Sequence, residues 1–149
     1  KSPRANFHDY SGGMYFVTIC TQDKKHYFGE IIDDLKLNPI GEYCKYELEN
    51  IHNHDSSVTI PLFVIMPNHI HAIICIEKPL KEFSKRTTLS VVVGNFKRAI
   101  TLFAKKNNIT FAWQTRYHDH IIRNLQDQNI IAEYIENNVA RWSSDCFYK

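Results

Sequence analysis

The chain has 149 residues, of which 44% are hydrophobic and 23% charged, enough for one domain with one core and ordinary for a soluble globular protein. Its net charge of +2 is too small to announce a nucleic-acid binder, and no apolar run reaches the ~18 residues of a membrane helix. The opening KSPRANFHDY lacks the apolar centre of a secretory signal. Cys20, Cys44, Cys75 and Cys146 are widely spaced, with no CxxC, and suit free thiols in a reducing compartment. A cytoplasmic protein with a single domain over 1–149 is therefore expected.

Gly12-Gly13 reads as a turn, and MYFVTICT (14–21), rich in β-branched and aromatic residues, reads as a strand. KLNPIGEYCKYELENI (36–51) places apolar residues at 40, 43, 44, 48 and 51, a helical spacing. Asn38 is the expected N-cap, with Pro39 in the first helical position. VTIPLFVI (58–65) and HIHAIICI (69–76) read as two strands joined by Met66-Pro67-Asn68, a hairpin. Pro61 predicts an edge or a bulge early in the first of them.

TLSVVVGNFKRAITLFAKKNN (88–108) predicts a second helix with Val92, Phe96, Ala99, Ile100 and Phe103 on one side. FAWQTRYHDHII (111–122) predicts a short strand or extended segment. NLQDQNIIAEYIENNVARW (124–142) predicts a third helix, with Ile130, Ile131, Tyr134, Ile135 and Asn138 on a shared sector. The order strand, helix, hairpin, helix, extended segment, helix is the α+β pattern of a ferredoxin-like layer of helices on a largely antiparallel sheet.

Charge is unevenly placed. Between residues 81 and 106 stand Lys81, Lys85, Arg86, Lys97, Arg98, Lys105 and Lys106, against Glu82 alone. Such a local excess suits contact with a polyanion, and it equally suits a solvated helix face.

Three HxH pairs occur: His52/His54 in IHNH, His69/His71 in NHIHA and His118/His120 in YHDH. On a strand, residues two apart share a face, so two imidazoles there are able to share one metal ion without moving. His69 and His71 meet that condition best. Ile73 and Cys75 continue their face, while Ile70, Ala72, Ile74 and Ile76 form the other. His52/His54 are expected in a polar loop after the first helix. His118/His120 flank Asp119 just before the last helix. A lone HxH is more often two incidental histidines, and two ligands need a third from elsewhere. On the last helix Tyr134 and Asn138 are four apart and so share a face. An asparagine carbonyl suits Mg²⁺ or Mn²⁺, and a phenol near a metal-bound phosphate is a possible nucleophile. Taken alone, Tyr134 reads more readily as a core tyrosine among isoleucines than as a nucleophile.

The combination is more specific than its parts. MPNHIHAII after a strand, WQTRYHDHIIR, and a helix carrying AEYIENN resemble the HUH-type single-tyrosine transposases, most closely the REP-associated tyrosine transposases of bacteria. GGMYFVTICT and VVVGNFKRAI extend the likeness over nearly the whole chain. The resemblance implies His69 and His71 as the HUH metal pair, Tyr134 as the catalytic tyrosine and Asn138 as a further metal ligand. Val139 stands where the family usually has proline, a departure that concerns the helix end. Arg116, His118, Asp119, His120 and Arg123 match a recurrent family segment without an assigned role.

The implied activity is metal-dependent cleavage and rejoining of single-stranded DNA next to hairpins, through a 5′-phosphotyrosine link. The implied partners are hairpin-bearing single-stranded DNA and, as in wider relatives, a second copy of the chain. Lys97, Arg98, Lys105, Lys106 and Arg116 are candidate DNA-backbone contacts. Trp113 and Tyr117 are candidates for stacking on unpaired bases. The alternative is a non-catalytic or domesticated hairpin-DNA-binding protein of the same fold. Other histidine phosphate enzymes fit poorly. Histidine-triad hydrolases need HxHxH, where residue 73 is Ile, and two-histidine phosphoesterases need a pair of HxT or HxS motifs that this chain lacks.

Overall fold

The structure is a computed structural model and describes residues 12–78 and 87–142. In chain order its elements are β1 (Gly13–Cys20), β2 (Gly29–Ile32), β3 (Asp34–Leu37), α1 (Pro39–His54), β4 (Val58–Met66), β5 (His69–Ile76), α2 (Leu89–Lys106), β6 (His118–Ile121) and α3 (Leu125–Glu136). Strands β4-β5-β1-β6 form one sheet in that order, and every neighbouring pair is antiparallel. With the β2–β3 hairpin set aside, this is the βαββαβ order of a ferredoxin-like fold.

Two-residue alternation decides the layers. Tyr15, Val17 and Ile19 of β1 and Ile70, Ala72, Ile74 and Ile76 of β5 point to one face. There they bury against Ile40, Cys44 and Leu48 of α1 and Leu89, Val92, Val93, Phe96 and Ile100 of α2. The opposite face carries Phe16, Leu62, Val64, Ile73 and Cys75, and Ile131 and Ile135 of α3 pack against it. The sheet is therefore covered on both sides, by α1 and α2 on one and by α3 on the other. This explains why HIHAIICI is apolar almost throughout rather than alternating.

Local chemistry sets the element ends. The Asn38 side chain accepts from the Gly41 backbone N–H, with Pro39 behind it in the first turn of α1. Thr88 caps α2 by accepting from Val91, and Asn124 caps α3 by accepting from Asp127. Pro61 sits in β4, an edge strand, at a register irregularity between Thr59 and Leu62, so edge and bulge occur together.

Four sequence-based expectations need correction. Helix α1 runs to His54, so His52 and His54 belong to its last turn rather than to a loop. There the His52 ring bonds the Val58 carbonyl at 2.8 Å, tying the helix end to β4. Helix α3 ends at Glu136, short of residue 142. The Asn137 side chain turns back onto the Glu133 carbonyl at 2.9 Å, and residues 137–141 continue as turns. Ile130 is 61% exposed and so leaves the sector it was expected to share. The β2–β3 hairpin was not anticipated, because its four-residue strands carry too little periodicity to read. No helix among the described residues is long and apolar enough to cross a membrane. Lys81, Glu82, Lys85, Arg86 and Cys146 lie outside the described residues, and Cys44 and Cys75 are free thiols.

Candidate active site

His69 and His71 start β5 immediately after the Pro67-Asn68 turn. Strand alternation aims both at the α3 side of the sheet. They are 0% and 1% exposed, and their ring centroids are 4.5 Å apart. Each imidazole is held through its Nδ1. His71 Nδ1 meets Thr18 Oγ1 at 2.9 Å, directly across the strand pair, and His69 Nδ1 meets Asn68 Oδ1 at 2.7 Å. With Nδ1 engaged, each ring presents Nε2 to the site.

The segment from Tyr134 to Trp142 lies over the pair. The Tyr134 ring stands 5.3 Å from the His71 ring and meets Phe16 edge-on at 6.2 Å. At the other end the Trp142 ring is stacked near His69, at 6.2 Å and 22°. Asn138 falls between these two contacts along the chain and is 1% exposed. Although α3 has ended, the backbone still turns here, with Asn138 N–H donating to the Ile135 carbonyl at 3.2 Å. The structure therefore brings Tyr134 to His71 and Trp142 to His69 on one side of the sheet, with Asn138 buried between them along the chain.

The donor set suits a divalent cation. Nε2 of His69, Nε2 of His71 and Oδ1 of Asn138 are buried side-chain atoms that make no hydrogen bond. Burying such an atom without one costs about 1–3 kcal/mol, a cost that metal ligation offsets. Two imidazoles and an amide oxygen are compatible with Mg²⁺ or, better, Mn²⁺. No group of three His, Cys, Asp or Glu side chains that could hold a metal ion converges among the described residues.

The other sequence-predicted residues are placed differently. Helix α2, which carries Lys97, Arg98, Lys105 and Lys106, covers the sheet face opposite the imidazoles. Lys97 is turned inward. Its Nζ donates to the carbonyls of Gln114 at 2.9 Å and Thr115 at 3.3 Å, and it lies 5.8 Å from the Trp113 ring centre. Burial pushes its pKa down. Arg98, Lys105, Lys106 and Arg116 are exposed. Trp113 packs against Phe28, Phe96 and Phe111 and donates Nε1–H to the Lys97 carbonyl, and Tyr117 is buried in the main core. Tyr117 is thus taken up in the core, whereas Trp113 is half-buried.

Strand β6 adds what the sequence left undefined. His118 pairs with Thr18, and His120 with Phe16, so both histidines share the sheet face of His71. Asp119 pairs with Val17 and faces the other way. His120 Nε2 meets Asp127 Oδ2 at 2.8 Å and ties the first turn of α3 to the sheet edge. Thr18 and Asn68 are the site residues that sequence reasoning missed. Asn68 is adjacent to the first histidine and had been read only as a turn former. Thr18 becomes legible only once the β1–β5 register is known.

No family model matches the chain. An uncharacterised protein of Haemophilus influenzae is 37% identical over 166 aligned positions, which cover 99% of this chain and 92% of that protein. Among solved structures, a REP-associated tyrosine transposase bound to a REP hairpin superposes with a TM-score of 0.63 at 20% identity, over 95% of this chain and 74% of that one. A candidate transposase from Deinococcus radiodurans follows with a TM-score of 0.51 at 15% identity, over 91% and 96% of the two chains. The chain thus belongs to one family with the Haemophilus influenzae protein, and its fold is that of the HUH-type single-tyrosine transposases.

Proposed function

We propose that this protein is a metal-dependent transposase that cleaves and rejoins single-stranded DNA next to hairpins through a 5′-phosphotyrosine intermediate. The observation that carries the reading is the approach of Tyr134 to His71, one member of a buried imidazole pair, within this fold. The hairpin partner is suggested by the structural neighbour, which was solved on a REP hairpin.

Tyr134 is the nucleophile. Its Oη attacks the phosphorus of a DNA phosphodiester in line. The Oη–P bond forms as the P–O3′ bond breaks, the phenol gives up its proton, and the departing strand leaves as a 3′-hydroxyl. An incoming 3′-hydroxyl reverses the step and restores the tyrosine, so one phosphodiester is exchanged for another and no nucleoside triphosphate is consumed. His69, His71 and Asn138 would hold Mg²⁺ or Mn²⁺, which polarises a phosphate oxygen and offsets charge in the transition state. A free phenol has a pKa near ~10 and is a weak nucleophile at neutral pH, so the site must also assist its ionisation. Packing on Phe16 and His71 limits the ring's motion and presets the direction of attack. Arg98, Lys105, Lys106 and Arg116 are retained as contacts to DNA phosphates away from the reacting one.

The test is a denaturing gel of the purified protein with labelled hairpin oligonucleotides from the flanks of its own gene. An adduct that survives denaturant, requires Mg²⁺ or Mn²⁺ and disappears in Tyr134→Phe supports the reading. Tight, salt-sensitive hairpin binding without an adduct would replace it with a DNA-binding role.

A further inference from the structure

We infer that Asn68 is a positioning residue for the reaction, because it fixes which nitrogen of His69 carries the proton. The inference rests on the metal-dependent reading above. An imidazole is useful as a ligand only through a deprotonated nitrogen, and the bond made by the other nitrogen decides which one that is.

Hydrogen bonds to the Asn68 side chain leave one arrangement. Its Nδ2 lies 3.3 Å from the Lys24 carbonyl oxygen, which only accepts. The amide must therefore place its NH₂ toward Lys24 and its Oδ1 toward His69. Oδ1 only accepts as well, so the 2.7 Å contact to His69 Nδ1 requires a proton on Nδ1. In the neutral ring Nε2 is then the bare nitrogen, and it is the one directed at the site. The Thr18 hydroxyl opposite His71 imposes no such choice, because a hydroxyl both donates and accepts.

The surroundings hold Asn68 firmly. Its backbone carbonyl accepts from Thr21 N–H at 3.0 Å, with Thr21 Oγ1 also 3.0 Å away and sharing its one proton between this carbonyl and that of Lys25 at 2.7 Å, and the Pro67 carbonyl accepts from Phe28 N–H at 3.0 Å. The Lys24 carbonyl is presented by a tight turn over Gln22–Lys24 in which Asp23 and Lys24 both have φ of 55°, a left-handed conformation uncommon outside glycine. The turn between β1 and β2 thus serves the imidazole from outside the metal-binding strand. Asn68 is 1% exposed, so water does not compete for these bonds.

Long-range ¹⁵N–¹H NMR of the metal-free protein reads the tautomer directly and needs no DNA cleavage. Wild-type His69 is expected to be protonated on Nδ1 and bare on Nε2. In Asn68→Leu the Nδ1–H form is expected to give way to Nε2–H, and Mn²⁺ affinity to fall about 10–100-fold. Asn68→Asp keeps the acceptor and is expected to restore the Nδ1–H signature. A wild-type His69 protonated on Nε2, or an Asn68→Leu protein still protonated on Nδ1, overturns the inference. The wild-type spectrum alone is decisive if Asn68→Leu does not fold. A wild-type protein that shows the Nδ1–H form yet binds no Mn²⁺ would overturn the metal-dependent reading and leave the tautomer assignment standing.

Discussion

Asn138 separates two roles that the last helix would otherwise mix. In the proposed reaction Tyr134 would attack, while Asn138, buried just beyond the helix end, would be a donor only. Asn138→Ala should leave the circular dichroism spectrum of the folded protein unchanged. Adduct formation at limiting Mg²⁺ should fall on the order of 10–100-fold or more, the scale of losing even an outer partner of a metal ligand. Excess Mn²⁺ should recover part of it, whereas Tyr134→Phe should be unrecoverable at any metal concentration. Equal rescue of both variants would remove Asn138 from the ligand set. The imidazole pair and the tyrosine were legible as types because HxH on a strand and a four-residue helical offset are periodicity arguments. Their partners were not. Thr18 and Asn68 act through a register and a turn geometry that no local pattern encodes.

At the level of elements, the capped helices and the hairpin were readable because their signals are local. Asn38-Pro39 marks the start of α1, and Pro61 marks the irregular edge strand β4. Helix α3 ends earlier than its periodicity predicts because the Asn137 side chain bonds back onto the Glu133 carbonyl. The junction of α1, β4 and α2 makes a pH-dependent prediction. Asp55 accepts from Ser57 N–H at 3.0 Å, Ser57 Oγ–H at 2.6 Å and Thr87 Oγ1–H at 2.6 Å. Burial pushes its carboxyl pKa up, but the bonds from Ser57 and Thr87 and the nearby His52 outweigh burial, so the pKa lies below the ordinary 3.8. A lowered carboxyl pKa gives stability that is fully present above the ordinary value and is lost as pH falls through the folded value. Thermal melts from pH 6 downward should therefore show an acid-side loss that Asp55→Asn reduces. An unchanged slope in Asp55→Asn would mean that this junction does not contribute.

For the whole molecule, the two-sided sheet explains both the strength and the limits of the sequence reading. Helices α1 and α2 build the main core on one face, and α3 lays the site on the other. The basic residues of α2 look adjacent to the chemistry in sequence terms, yet they belong to the opposite layer, and Lys97 is used to hold residues 114 and 115. Only the assembled fold separates these surfaces. The same packing brings Tyr134 to His71 of its own chain, an arrangement in which the tyrosine would act within one copy. Mixing Tyr134→Phe with His71→Ala protein should therefore give no adduct beyond the sum of the two alone. Restored adduct in the mixture would show exchange of the tyrosine helix between copies.

The central claim is that Tyr134, one of eight tyrosines in the chain, is the atom-donating nucleophile. The most direct measurement is mass spectrometry of proteolysed adduct formed with a hairpin oligonucleotide and Mn²⁺. The account predicts a 5′-phosphodeoxynucleotide mass on the peptide containing Tyr134, located on that residue by fragmentation. The same mass on another tyrosine, or on a serine or histidine, would contradict it.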